Sequence, residues 1–114
     1  MKIIVKHAAD IAKEDAHGGA GSRKLYIDDK QTDSGRVQGM THGWLPAGAV
    51  FDWHEHDGME EIMYVLKGTG KVCDADGEYE YGAGTVAVFP ANAQHKITNP
   101  STETNEFVFV RIYT

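Results

Sequence analysis

Short apolar runs, each about the length of a strand, recur along this chain between glycine, proline, aspartate and asparagine signals. They are Lys2–His7, Lys24–Asp28, Val37–Leu45, Val50–His56, Glu61–Lys67, Gly70–Asp74, Glu78–Tyr81, Thr85–Phe89, His95–Asn99 and Glu106–Tyr113. Helical spacing is not sustained anywhere. Ile11–Ala16 allows one helical turn, and Gly18-Gly19 then stops it. Strands at this spacing predict an all-β sandwich or barrel. Asp76-Gly77, between Val72 and Tyr79, is a hairpin signal, and the polar stretch Asp29–Gly35 reads as a loop. No repeat, low-complexity segment or interdomain linker interrupts the pattern. A length of 114 residues suits one domain with one core.

Composition narrows the function classes. Hydrophobic content of 41% and charged content of 25% are ordinary for a globular chain. A formal net charge of −6 argues against nucleic-acid binding, which wants a basic face. No apolar run approaches the length needed to cross a membrane, and Lys2 is followed only by Ile3-Ile4-Val5, too short for a signal-peptide core. The lone cysteine, Cys73, allows no internal disulfide and reads as a small packed residue. The expected location is the cytoplasm.

Chemistry concentrates in the histidines. His54 and His56 are two residues apart on an expected strand, so both side chains point to one face, roughly 6–7 Å apart along it. Two imidazoles at that distance can tilt toward one ion about 2.1 Å from each nitrogen. Two nitrogens alone hold a divalent ion weakly. Glu61 opens the next strand, and the turn Asp57–Glu60 is expected to fold that strand back beside the first. His95 follows a later apolar strand and a proline-containing turn. Glu60 is an alternative to Glu61 if the turn is read one residue shorter, but the spacing to Gly68 favours Glu61.

These residues carry a family resemblance. Gly48 to Gly68 fits the first cupin motif, G-x5-H-x-H-x4-E-x6-G, at every position. Gly84 to Asn99 fits the second, G-x5-P-x-G-x2-H-x3-N, except that Asn92 stands in place of glycine. Asparagine tolerates positive φ better than most residues, so the turn should survive. The chain therefore resembles a small cupin of the RmlC-like superfamily. The resemblance implies a double-stranded β-helix, or jelly roll, with a metal in one mouth of the barrel. The implied ligands are His54, His56, Glu61 and His95, holding one divalent ion: Mn, Fe, Ni, Co or Zn. Residues 1–114 are expected to form one cupin domain, with 1–35 as N-terminal strands and loop and 48–99 as the metal-binding core.

Other residues admit two readings each. His42 shares parity with Trp44; it faces inward toward a substrate, or Thr41 and Leu45 face inward and His42 meets a partner subunit. His17-Gly18-Gly19-Ala20-Gly21 is a mobile connection or a loop that covers the barrel mouth. Arg36 and Arg111 are candidates for an anion clamp, since arginine grips carboxylate with a bidentate fork. Arg111 lies in an apolar strand, where a charge needs a reason; a surface carboxylate would also supply one. Lys67 shares the parity of Glu61 but belongs at the far end of the strand. Met63 and Val65 should line the cavity. Tyr64 should lie outside the wall. Phe51 and Trp53 are expected to oppose the histidine face.

Three imidazoles and a carboxylate leave one to three positions open on a six-coordinate ion, for water or an oxygen-bearing ligand. The expected function is a metal-dependent enzyme acting on a small oxygen-rich anion, such as a keto acid, sugar acid or dicarboxylate. Dioxygenase, isomerase, decarboxylase and lyase chemistries all remain open, and so does a non-catalytic metal or small-molecule binding protein. A homodimer is expected, because Trp44, Trp53, Phe107 and Phe109 exceed what one small core needs. Lys2–His7 is then free to add to the partner's sheet.

Overall fold

The computed structural model describes residues 2–114. Its strands are β1 (Glu14–Ala16), β2 (Gly21–Ile27), β3 (Val37–Leu45), β4 (Val50–His54), β5 (Met59–Lys67), β6 (Gly70–Asp74), β7 (Gly77–Tyr81), β8 (Val86–Phe89), β9 (His95–Thr98) and β10 (Asn105–Tyr113). They form a six-stranded sheet, β1-β2-β3-β10-β5-β8, facing a four-stranded sheet, β4-β9-β6-β7. All the pairings are antiparallel. The all-β jelly roll expected of the sequence is the fold observed.

Alternation builds the core. On β3, Thr41, Gly43 and Leu45 point inward, while Met40, His42 and Trp44 point out. On β5, Glu61, Met63 and Val65 are buried, and Tyr64 is 44% exposed on the outer face. Phe107 pairs across with Val65 and Gly43, and Phe109 with Met63 and Thr41. A Cβ on Gly43 would come within 2.9 Å of the Phe109 ring, so the missing side chain makes room for that aromatic. With Leu45, Phe51, Val72, Tyr81, Phe89 and Ile97 these residues form one hydrophobic cluster. Each large apolar side chain so buried contributes about 1.5–3 kcal/mol. Met63 and Val65 lie in this core beneath the cavity instead of lining it. Cys73 is a buried free thiol, as expected.

Some expectations fail for local reasons. Lys2–His7 forms no strand: Ile3 is 91% and Val5 71% exposed. Its contact with β2 is made by a side chain instead, Lys6 Nζ donating to the Tyr26 carbonyl. Ile11–Ala16 makes no helical turn; Glu14–Ala16 is drawn into β1, where Ala16 pairs with Gly21. β5 does not fold back beside β4. The intervening turn crosses to the other sheet, where β5 pairs with β10 and β8. Phe107 and Phe109 are core residues, 0% and 7% exposed, and not surplus surface.

Asn99, the last residue of the second motif, is a latch. It is 1% exposed, and its Nδ2 lies 2.9, 3.1 and 2.7 Å from the carbonyl oxygens of Leu45, Pro46 and Glu103. Its Oδ1 accepts from the Ser101 amide and hydroxyl. Asn99→Ala removes these five hydrogen bonds, one of them to the buried Leu45 carbonyl, and should destabilise the fold by about 2–3 kcal/mol, read by urea denaturation. An unchanged midpoint would refute this role.

Candidate metal centre

His54, His56, Glu61 and His95 converge at one end of the sandwich, each offering a ligand atom within 4.8 Å of the others. Both sheets contribute. His54 ends β4 and pairs with His95, the first residue of β9, in the four-stranded sheet. Glu61 projects from β5 in the other sheet. His56 lies beyond β4, in the connection that crosses between the sheets. The sequence expectation that one strand presents both histidines therefore holds only for His54.

Asn92 helps place that connection. Its φ is 61°, the left-handed conformation that glycine usually supplies at this motif position. Its amide donates to the His56 carbonyl at 3.1 Å, and its Oδ1 accepts from the Gly58 amide at 2.9 Å. The asparagine thus keeps the turn and ties down the loop that carries His56.

Backbone carbonyls orient two of the rings. Nδ1 of His54 lies 2.6 Å from the Asp52 oxygen, and Nδ1 of His95 lies 3.2 Å from the Ala93 oxygen. A carbonyl only accepts, so Nδ1 carries the proton and Nε2 presents its lone pair. Phe89 stacks on His95 with ring centroids 4.2 Å apart. Nε2 of His56 and Nε2 of His95 are buried without a hydrogen-bond partner, 3.4 and 3.7 Å from Glu61 Oε1. Ligand atoms each about 2.1 Å from a shared ion stand roughly 3–4 Å apart. The unpartnered nitrogens and their spacing fit a divalent metal.

Glu61 is 4% exposed. Burial pushes its pKa up, but the adjacent imidazoles of His56 and His95 and the charge of Arg111 outweigh that and hold it below the usual carboxylate range. Arg111 sits beside it because β10 pairs with β5 at Arg111–Glu61. Its Nη1 donates to Glu61 Oε2 at 3.3 Å and to Thr41 Oγ1 at 3.4 Å, and its Nε to Gln38 Oε1 at 2.7 Å. The reason for a charge in this strand is thus a buried carboxylate at the site. Gln38 and Thr41 were not singled out from sequence as site residues. Gln38 is the extra residue where the β3–β10 register slips between Gly39 and Val37, and such a bulge re-aims a side chain that simple alternation would turn outward.

A cavity of about 400 Å³ opens onto the cluster, lined by His54, His56 and Glu61 together with His17, Phe51, Gln38, Thr41 and Arg111. Phe51 faces the histidines instead of opposing them, since the β4–β9 register slips between Phe51 and His54. Trp53 is 47% exposed. His42 lies on the outer face, stacked on Trp44 and bonded to Tyr26 and Glu106. Arg36 and Lys67 are exposed, and neither lines the cavity.

His17 packs against the cluster, its ring centroid 4.4 Å from Phe51 and 4.6 Å from His54. Burial of its packed side, then the neighbouring His54, holds its pKa at about 4, although its outer edge is open to solvent. Burial also lowers the pKa of His54, against the opposing effect of the Asp52 carbonyl. Both groups therefore stay neutral in the metal-free fold at pH values where the unfolded chain takes up protons. Stability of the metal-free protein should be flat above about pH 6.5 and fall as pH drops toward 4. Imidazole NMR titration should show His17 and His54 titrating below the ordinary value; midpoints at or above 6.5 would contradict the packing described.

Residues 43–111 match the family model for the cupin domain, Cupin_2. The chain is 26% identical to an oxalate-binding protein of Thermotoga maritima, over 96% of this chain and 93% of that protein. It is 27% identical to an oxalate decarboxylase of Arthroderma benhamiae, over 94% of this chain but only 26% of the fungal protein. The chain thus spans about a quarter of the length of the fungal decarboxylases it matches. A crystal structure of a predicted oxalate decarboxylase from Thermotoga maritima superposes with a TM-score of 0.83 at 24% identity, covering 97% of this chain and all of that one. The two motifs, the jelly roll and the match across most of the chain place this protein in the cupin-domain family.

Proposed function

We propose that this protein is a metal-dependent cupin acting on a small carboxylic acid, with oxalate or a related keto acid or dicarboxylate as ligand. His54, His56, Glu61 and His95 hold one divalent ion, drawn from Mn, Fe, Ni, Co and Zn. The observation that carries this reading is the pair of buried, unpartnered Nε2 atoms beside Glu61. The unit is residues 1–114 as one cupin domain, with its core at 48–99. A bound ion would act as a Lewis acid on a carboxylate or carbonyl oxygen.

The chain's own residues favour an anion. Three neutral imidazoles and one carboxylate leave a divalent site with net positive charge. Arg111 adds a guanidinium whose Nη2 takes no part in the bonds to Gln38, Thr41 and Glu61. That fork can take a carboxylate oxygen while Nη1 keeps Glu61 ionised and oriented. The name of the Thermotoga maritima relative supports oxalate as the first ligand to try. It also supports the second reading, a protein that binds the acid without converting it. Carbon dioxide release from oxalate by the metal-loaded chain separates the two.

A homodimer through the outer face of the six-stranded sheet belongs to the same proposal. Tyr64 pairs with Val86 and Val108, and Ile62 with Val88 and Val110, so that face is apolar across β8, β5 and this part of β10. Val86 and Val88 are 61% and 58% exposed. The unpaired segment 2–7 is available to the partner's sheet. Light scattering should give twice the chain mass at micromolar concentration; a monomer would refute the dimer. Cytoplasmic location is the accompanying proposal, consistent with the free thiol of Cys73 and checked by cell fractionation.

Purified without a chelating tag, the protein should carry about one metal per chain, since four convergent ligands make one site. His56→Ala should lower metal affinity by at least about tenfold and abolish oxalate binding that is millimolar or tighter in the unaltered chain. Metal content that does not change in His56→Ala would sink the ligand assignment.

A further inference from the structure

The hairpin between β1 and β2 brings a fourth histidine to the cluster. Ala16 pairs with Gly21, so residues 17–20 form its turn. His17 has a φ of 52°, Gly18 of 67° and Gly19 of 93°. A non-glycine residue rarely stays in this region unless its surroundings hold it there. The holding contact is visible. A Cβ on Gly21 would lie 2.7 Å from the Phe51 ring, so the bare glycine lets Phe51 sit under the hairpin. His17 then stacks on Phe51 with an interplanar angle of 27° and meets His54 edge-on at 67°.

This places an imidazole at the cavity wall, packed against Phe51 and His54. Its neighbours act on it through burial and charge, and no hydrogen bond to its ring enters that balance. It is also outside the four-residue cluster whose ligand atoms lie within 4.8 Å of one another. The outer side of the ring is exposed, and Gly18 and Gly19 have nothing within 4 Å of a built Cβ. The turn therefore has room to move while its ring remains over the site. Arg111, Gln38 and Thr41 line the same cavity.

We propose that His17 is a ligand-contacting residue, hydrogen-bonding an oxygen- or nitrogen-bearing anion bound at the His54–His56–Glu61–His95 cluster, with the Gly18-Gly19 turn setting its approach. The inference rests on the metal-site reading above. It gives the pocket two polar groups of different kind: a fixed guanidinium on β10, and an imidazole carried on the hairpin turn.

The test uses the full chain loaded with cobalt(II), whose visible absorption reports ligands entering its coordination shell. Azide, a generic anion that binds open metal positions and accepts hydrogen bonds, is titrated alongside oxalate. His17→Phe keeps a ring stacked on Phe51; His17→Asn keeps a residue that tolerates positive φ. Both should take up cobalt as the unaltered chain does, and both should bind azide about tenfold more weakly, the loss expected for one hydrogen bond to a charged group. Undiminished azide affinity in both variants would overturn the proposal. So would undiminished affinity in His17→Phe alone, which would assign the ring to packing, or loss of cobalt from both, which would make His17 a metal ligand. If the unaltered chain binds azide but not oxalate, the acid reading falls and the azide series still decides the role of His17. If the unaltered chain takes up no cobalt, both readings fall.

Discussion

Two imidazole nitrogens, Nε2 of His56 and Nε2 of His95, are buried at the end of the sandwich without a hydrogen-bond partner in the protein. An unmet polar atom of this kind costs about 1–3 kcal/mol, so a fold keeps one only where something else satisfies it. Much of the surrounding structure bears on these atoms. The β4–β9 pairing sets His54 against His95. The Asn92 turn holds the loop of His56, and the Asp52 and Ala93 carbonyls fix which nitrogens of His54 and His95 face the centre. The β5–β10 pairing brings Arg111 to Glu61 from the other sheet. The site is therefore made by closing one sheet over the other, and a change that loosens the sandwich at this end should loosen all four groups together.

Two of the groups that line the pocket differ in kind. Arg111 is mostly buried in a strand paired on both sides, so its fork is rigid. His17 rides on a glycine-rich turn with an open outer edge. A rigid charge and an adaptable imidazole facing one cluster suit a small anion held at two ends better than a large apolar ligand. The fold alone does not choose a reaction, since cupin scaffolds of this shape include proteins as different as a polyketide cyclase from Streptomyces resistomycificus, which superposes with a TM-score of 0.80 at 20% identity.

The strand pattern was legible in the sequence because it depends on local spacing, and the four clustered residues because the two cupin motifs imply them. β3 and β6 fall where the apolar runs place them, β2, β4, β5 and β7 to β10 differ by a few residues at their ends, and β1 lies where a helical turn was expected. What alternation could not give was anything set by register slips. The slip between Phe51 and His54 turns Phe51 into the pocket, and the slip near Gln38 turns that amide toward Arg111. Sheet membership was also hidden: a turn beginning Asp57-Gly58 looks the same whether it makes a hairpin or crosses between sheets. Lys2–His7 shows the converse limit, for β-branched composition alone does not make a strand. Of the basic residues weighed, Arg111 reached the site because its strand pairs with that of Glu61, whereas Arg36 and Lys67 lie in exposed positions.

The central claim is that three imidazole nitrogens and one carboxylate oxygen share a single ion. X-ray absorption spectroscopy on the purified, untagged protein tests this most directly. The account predicts a metal edge with a first shell of nitrogen and oxygen only, near about 2.1 Å, and outer-shell scattering from three imidazoles. A shell containing sulfur, fewer than two imidazoles, or protein free of metal after supplementation with each of the candidate ions would contradict it.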